Sequence, residues 1–232
     1  MRSAFRLGLA MAAGMAILLP AEAAAESYTF SYCFDNNSSV CSEIADQITV
    51  DVTDAGNGQV NFEFQNNVGE PSVVTALYFD AGGFLENMTI LAQTGGADFT
   101  AGSASPGSPP GGENAIPPFE TTASLLTDAK NPKPNKGLNS ADDTLTLQFD
   151  IANGLTFADI IDALELGPNE GDGIRIAAHV QGIGPRGGLS DTFICCDPGS
   201  GGGNGGSPSP EPATISLFGL VALAAASRLR RR

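Results

Sequence analysis

The chain has 232 residues, of which 42% are apolar and 16% charged, so its composition is that of a globular protein rather than a disordered polyelectrolyte. Its 29 Gly and 15 Pro favour many turns and short strands over long helices. The span from Glu26 to Pro210 holds 24 of the 26 acidic residues and only five of the 11 basic ones. Because such a surface repels phosphate backbones, we expect no nucleic-acid partner.

The N-terminus has the layout of a secretory signal peptide. Arg2 and Arg6 form a basic start, an apolar run covers 7–19, and a stretch of small residues ends at Ala25. The apolar run is short for a membrane span. The order of these features predicts a signal peptide over 1–25, handled by the Sec translocon and removed by signal peptidase after Ala25.

The middle of the chain shows the alternation of apolar and polar residues that is typical of half-buried strands. A turn sequence at 54–58 separates two of these runs and predicts a β-hairpin. The predicted strands lie at 48–53, 60–65, 73–79, 145–151 and 174–181.

One helix interrupts the strands. Thr156 is its expected N-cap, Asp159 stands three residues on as in a capping box, and Leu155 and Ile160 have the spacing of a hydrophobic staple. Gly-Pro at 167–168 ends it. Long loops are expected over 101–118 and over 128–141, the second of which contains all three lysines. The pattern predicts a mainly β domain over 26–198, a β-sandwich or jelly roll with one short helix.

Four cysteines, Cys33, Cys41, Cys195 and Cys196, follow the predicted signal peptide. Export to an oxidising compartment favours disulfides. Because successive side chains of a strand point to opposite faces, adjacent cysteines are not expected to pair. We therefore expect either two bridges from the N-terminal pair to the C-terminal pair, or a Cys33–Cys41 bridge with a free or strained thiol at the other end. Zinc is disfavoured, because the spacing is not the C-x₂₋₄-C of structural zinc sites.

No catalytic motif is evident in the sequence. His179 is the only histidine, and the alternation places it on the polar face of a strand beside Arg175 and Gln181. A secreted hydrolase with two acidic residues as acid and base stays an alternative. Calcium is a second alternative, with Asp51, Asp54 and Asn57 as oxygen ligands, although turn chemistry alone explains that segment.

The C-terminus has three parts. A linker of Gly, Ser and Pro covers 199–209, an apolar stretch covers 213–227, and a basic cluster closes the chain. This is the pattern of a short membrane segment with a cytoplasmic stop-transfer cluster. The arginines of that cluster are Arg228, Arg230, Arg231 and Arg232.

Pro210, Glu211 and Pro212, followed by the apolar segment and the arginines, make the tail at 210–232 resemble the PEP-CTERM sorting domain. The resemblance implies recognition of the Pro-Glu-Pro signal by exosortase, an integral-membrane enzyme of Gram-negative bacteria, and a link to exopolysaccharide and biofilm. The middle of the chain also resembles a group of exported PEP-CTERM proteins that has no assigned activity. The phrases that carry this second likeness lie at 51–60, 106–112 and 175–182.

Taken together, these features predict an exported protein of the cell envelope or extracellular matrix that is anchored transiently in the inner membrane. We expect it to be non-enzymatic and to bind polysaccharide or another surface protein. The alternatives are a polysaccharide-acting hydrolase and a calcium-dependent adhesin module.

Overall fold

The computed structural model describes residues 25–34, 38–44, 46–67, 69–102, 107–167, 172–184 and 186–196. The predicted signal peptide up to residue 24, the linker over 199–209 and the sorting tail over 210–232 lie outside the described residues. Within them, no helix has both the length and the apolar character needed to cross a membrane.

The described chain is mainly β, as predicted. Its eleven strands are β1 (Ala25–Thr29), β2 (Tyr32–Cys33), β3 (Ile48–Gly56), β4 (Gln59–Asn66), β5 (Val73–Asp80), β6 (Leu85–Gln93), β7 (Phe99–Ala101), β8 (Leu126–Ala129), β9 (Thr144–Ile151), β10 (Arg175–Ile183) and β11 (Leu189–Cys195). Its two α-helices are α1 (Ser38–Ile44) and α2 (Phe157–Glu165).

The strands form two antiparallel sheets that share one hydrophobic core. Sheet A has the order β1-β3-β4-β9-β6, and sheet B has the order β2-β11-β10-β5-β8-β7. Phe62 and Phe149 of sheet A pack against Phe79 of sheet B, with ring centroids 5.7 and 4.7 Å from that of Phe79. Alternation along each strand supplies these inward rings and leaves the other face of sheet A to polar residues.

The predicted hairpin is β3 and β4. Its two-residue turn consists of Asn57 and Gly58, with φ of 56° and 75°. Both values are left-handed, as a type I′ turn requires, and Asn followed by Gly is the pair that adopts them at least cost. The turn fixes the register in which Val52 faces Phe62.

The predicted helix is α2, and its capping box is present. The Asp159 amide donates to the Thr156 hydroxyl, while the Thr156 amide donates to the Asp159 carboxylate. The expectation of a single helix is wrong, however, because α1 also forms. Val40 and Ile44, one turn apart, are buried in the main core. Seven residues are too few for a helical period to stand out in the sequence.

The strand β10 departs from the predicted alternation, because both of its faces are covered. Its inner face joins the main core, and its outer face lies under the segment 107–122, which we call the strap. The strap places Ala115 and Phe119 over the outer face of sheet B. The residues of this second cluster are Phe34, Ala76, Tyr78, Ala115, Phe119, Leu126, Ala177 and Ile194.

Candidate ligand-binding face

The outer face of sheet A is polar and has no cationic side chain. The strands of sheet A carry no Lys, Arg or His, and four of their carboxylates belong to this face by register, those of Asp51, Glu63, Glu86 and Asp150. The cross-strand register sets Thr53, Asn61, Gln148 and Thr89 in one row over neighbouring strands. A flat surface of amides, hydroxyls and carboxylates is therefore displayed on one side of the domain. We call it the polar face.

Hydrogen bonds between strands hold the side chains of the polar face in place. The Gln148 amide donates to Asn61 Oδ1 at 3.0 Å, and the Thr146 hydroxyl donates to Glu63 Oε2 at 3.2 Å. Side chains that are already ordered lose less conformational entropy when they bind a ligand. The polar face is therefore preorganised rather than a mobile solvated surface.

Asp150 anchors the end of the polar face next to strand β6. Its two carboxylate oxygens accept hydrogen bonds from the side-chain amides of Gln59 and Asn87, each at 2.9 Å. These bonds, with that of Gln59 the stronger influence, hold the pKa of Asp150 below its ordinary value. The carboxylate stays charged and oriented at neutral pH.

A cleft opens beside Asp150, between the edge of sheet A and the edge of sheet B. Its volume is about 490 Å³. Residues 85–88 of β6 form one wall, and residues 101–102 and 122–125 form the other. Leu85 and Leu125 are buried and form its floor. Cavities of this size are typical of small-ligand sites.

The sequence did not point to this cleft. No predicted strand covered β6, because its pairing with β9 shifts register twice and the shifts break the alternation. The local sequence shows a Gly-rich turn before β6 and the adjacent polar residues Glu86 and Asn87, and neither feature by itself indicates a binding site. The second wall comes from residues 101–102 and 122–125, which lie further along the chain and which no local pattern places beside β6.

The residues proposed for calcium are occupied by local contacts. The Asp54 carboxylate accepts the backbone N–H of Gly56 at 2.8 Å, which is the hydrogen bond of an Asx turn. Asp51 accepts the hydroxyl of Ser27 from the neighbouring strand. Asn57 forms the hairpin turn. The structure thus accounts for these residues by turn and strand contacts, and calcium binding here stays a hypothesis.

His179 is buried on strand β10, although the alternation placed it on the polar face of that strand. The Gln181 amide nitrogen lies 3.0 Å from Nε2 and can only donate, so Nε2 accepts, and Nδ1 lies 3.4 Å from the Thr192 hydroxyl. Burial, and then the charge of Lys133, lower the pKa of His179, while Asp128 opposes them. Its contacts with a threonine and an amide make no Ser-His-Asp or Cys-His arrangement among the described residues.

Arg175 is buried too, although the alternation placed its side chain on the same polar face of the strand as His179. Its guanidinium pairs with Asp80 and donates to the carbonyls of Pro117 and Pro118 at 2.6 and 2.8 Å. It also lies over the ring of Phe119, 5.3 Å from the centroid. Arg175 therefore fastens the strap to sheet B, and its role is structural.

The disulfides are local, so of the two expected arrangements the bridges between the ends of the domain are wrong, whereas the Cys33–Cys41 bridge of the other arrangement is present. Cys33 pairs with Cys41, and Cys195 pairs with Cys196. Helix α1 folds back beside β2 and brings the first pair to a Cα separation of 5.9 Å, within the usual range. Alternation did not forbid the second pair, because β11 ends at Cys195 and Cys196 lies beyond the strand.

One group of metal-ligating types occurs among the described residues, namely Cys33, Cys41 and Asp191. Both sulfurs belong to a disulfide, so neither is a thiolate that could bind a metal. The Asp191 carboxylate accepts the backbone N–H of Thr192 at 2.7 Å. The geometry gives no support to a zinc site.

Of the residues predicted for signal cleavage, sorting and stop-transfer, only Ala25 is among the described residues, and it is the first residue of β1. Comparison with family models, curated proteins and solved structures finds no match for this chain.

Proposed function

We propose that this chain is an exported, non-enzymatic module of the cell envelope or extracellular matrix that binds neutral polysaccharide through the polar face of sheet A. The observation that carries the proposal is that face, whose hydrogen-bonding side chains are held in position and include no cation. Hydroxyl-rich ligands need such donors and acceptors, whereas anionic polymers would be repelled by its carboxylates. We further propose that the two-sheet domain is a jelly-roll-like sandwich.

Export and sorting are part of the same proposal. The signal peptide over 1–25 delivers the domain through the Sec translocon, and exosortase recognises Pro210, Glu211 and Pro212 in the sorting tail. The apolar segment holds the protein in the inner membrane until that step. Two disulfides in the domain support residence in an oxidising compartment.

Hydrolysis of the polysaccharide has less support than binding. Glycosidases hold two carboxyl groups across the scissile bond. Among the residues that line the cleft, Glu86 is the only one with a carboxyl group. Binding of polysaccharide to the face or cleft is therefore favoured over its cleavage.

Sorting is tested by the intact mass of the protein recovered from envelope and medium, with and without a working exosortase. We expect a chain that starts near Glu26 and ends near Pro210, and that this product is lost without exosortase. A full tail in both strains would instead mean a plain membrane anchor.

Binding is tested by affinity electrophoresis of the secreted protein in gels that contain exopolysaccharide purified from the producing cells. We expect retardation that falls when Asn61 and Gln148 are both replaced by Ala, since the pair contributes to the middle of the polar face. The control is Thr100→Ala, which changes an exposed residue of β7 in sheet B and should leave retardation unchanged. Equal migration in gels with and without the polymer would refute polysaccharide binding.

A further inference from the structure

The cleft combines polar walls with an apolar floor. Glu86 and Asn87 stand on the β6 wall, and Thr122 and Ser124 stand on the opposite wall. Two of these side chains already have partners, since Thr122 accepts the amide of Ala81 and Asn87 donates to Asp150. Those contacts hold the walls in position and attach the cleft to the polar face.

Backbone conformation sets the cleft apart from other surface loops. Four non-glycine residues in the described chain have left-handed φ, and two of them, Asn87 at 50° and Ser124 at 67°, face each other across the cleft. An L-residue adopts this conformation at an energetic cost, most of all when it is not Asn, Asp or Gly. Such residues cluster where a structure clamps a ligand.

The lining selects one class of ligand. It has hydroxyl, amide and carboxylate groups and no Lys, Arg or His, which disfavours phosphates, sulfates and uronates. The buried Leu85 and Leu125 and the half-buried Met88 offer an apolar surface to C–H groups. A sugar ring presents both kinds of group, with hydroxyls at its edge and C–H groups on its faces.

We propose that the cleft binds one neutral sugar unit of a polysaccharide, with Glu86 and Asn87 bonding its hydroxyls and the floor packing against its ring. This inference rests on the proposed polysaccharide binding and adds the position of a specific subsite. The polar face supplies the extended contact, and the cleft supplies recognition of the individual unit.

The experiment is isothermal titration calorimetry of the secreted protein with neutral tetrasaccharides of glucose, galactose and mannose. A glucosamine tetramer serves as the cationic probe and a glucuronate oligomer as the anionic probe. Ala123→Trp places a large side chain in the cleft, whereas Ser190→Trp puts the same side chain at an exposed position of β11 in sheet B, away from both the cleft and the polar face. Glu86→Gln keeps hydrogen bonding but removes the charge.

We expect at least one neutral tetrasaccharide to bind to the parent protein, about tenfold or more weakly to Ala123→Trp, and as tightly to Ser190→Trp as to the parent. Glu86→Gln should weaken binding only a few-fold, because a neutral hydroxyl needs no opposite charge. Preferred binding of the glucosamine tetramer that Glu86→Gln abolishes would overturn the ligand class. Unchanged affinity in Ala123→Trp would overturn the cleft as the site.

The two proposals can fail separately. If the exopolysaccharide retards the protein in the gel but Ala123→Trp binds every probe like the parent, the polar face binds polymer and the subsite inference is wrong. If neither the polymer nor any probe binds, both proposals are wrong.

Discussion

Replacing Arg175 by Met tests whether the strap is held by a buried ion pair. The Arg175 side chain is 2% exposed and that of its partner Asp80 is 13% exposed. Met keeps much of the apolar volume over Phe119 but removes the charge and all of the donors. Asp80 would then keep the hydrogen bond that its carboxylate accepts from the backbone N–H of Glu120 at 3.2 Å.

The expected loss is about 3 kcal/mol of unfolding free energy. Removing one partner of a buried ion pair costs roughly 3–5 kcal/mol, because the other charge stays buried and uncompensated. The lower end applies here, since Asp80 keeps some contact with water and Pro118 is exposed, so its freed carbonyl can be hydrated. Because Asp80 and Arg175 are paired, replacing both with Leu and Met should cost less than the sum of the single changes.

The assay is urea unfolding followed by far-UV circular dichroism, since the chain has no Trp for fluorescence. Hydrogen exchange gives the local readout, and we expect faster exchange at the strap amides of Asn114 and Phe119, which bond to carbonyls within the strap. Arg186→Met, a change at an exposed arginine, is the matched control. A loss below about 1 kcal/mol, or strictly additive single and double variants, would refute the ion-pair argument.

Three further changes test other parts of the structure. Since burial lowers the pKa of His179, the unfolded chain binds a proton more readily, so stability should fall as pH drops below about 6.5; His179→Gln should flatten this slope in melts between pH 7 and 5. Thr156→Ala removes the N-cap of α2 and should cost about 1 kcal/mol in urea unfolding, whereas Thr156→Ser should not. Gly137→Ala would drive a methyl group into the Val74 carbonyl and should cost about 1–3 kcal/mol, visible as a lower melting temperature.

Local signals in the sequence were sufficient for the hairpin and for α2. The Asn57-Gly58 turn and the Thr156 cap are each decided by a few neighbouring residues. The bulged strand β6 was missed, because alternation is the signal that a bulge destroys. Helix α1 was missed because its stability comes from tertiary packing of Val40 and Ile44 rather than from a long periodic run.

The candidate site was less predictable than the fold. Alternation assigns one solvent-exposed face to a strand, but it cannot show that a distant loop will cover that face, as the strap covers Arg175. The Cys33–Cys41 bridge was among the expected arrangements, but the Cys195–Cys196 bridge was not, since it depends on where β11 ends. The cleft combines two segments far apart in sequence, so neither Asn87 nor Ser124 indicates a site by itself.

The two outer faces of the domain differ in a way that limits where a long polymer can lie. The strap and its apolar cluster cover part of sheet B, whereas the polar face of sheet A has no such cover among the described residues. Asn87 belongs to the cleft and also bonds Asp150, which Gln59 joins to the next strand of the polar face. A polysaccharide with one unit in the cleft would therefore continue across β9 and β4 rather than over the strap. Variants of Asn61 and Gln148 should then weaken long chains more than tetrasaccharides, because only a long chain reaches the middle of the face.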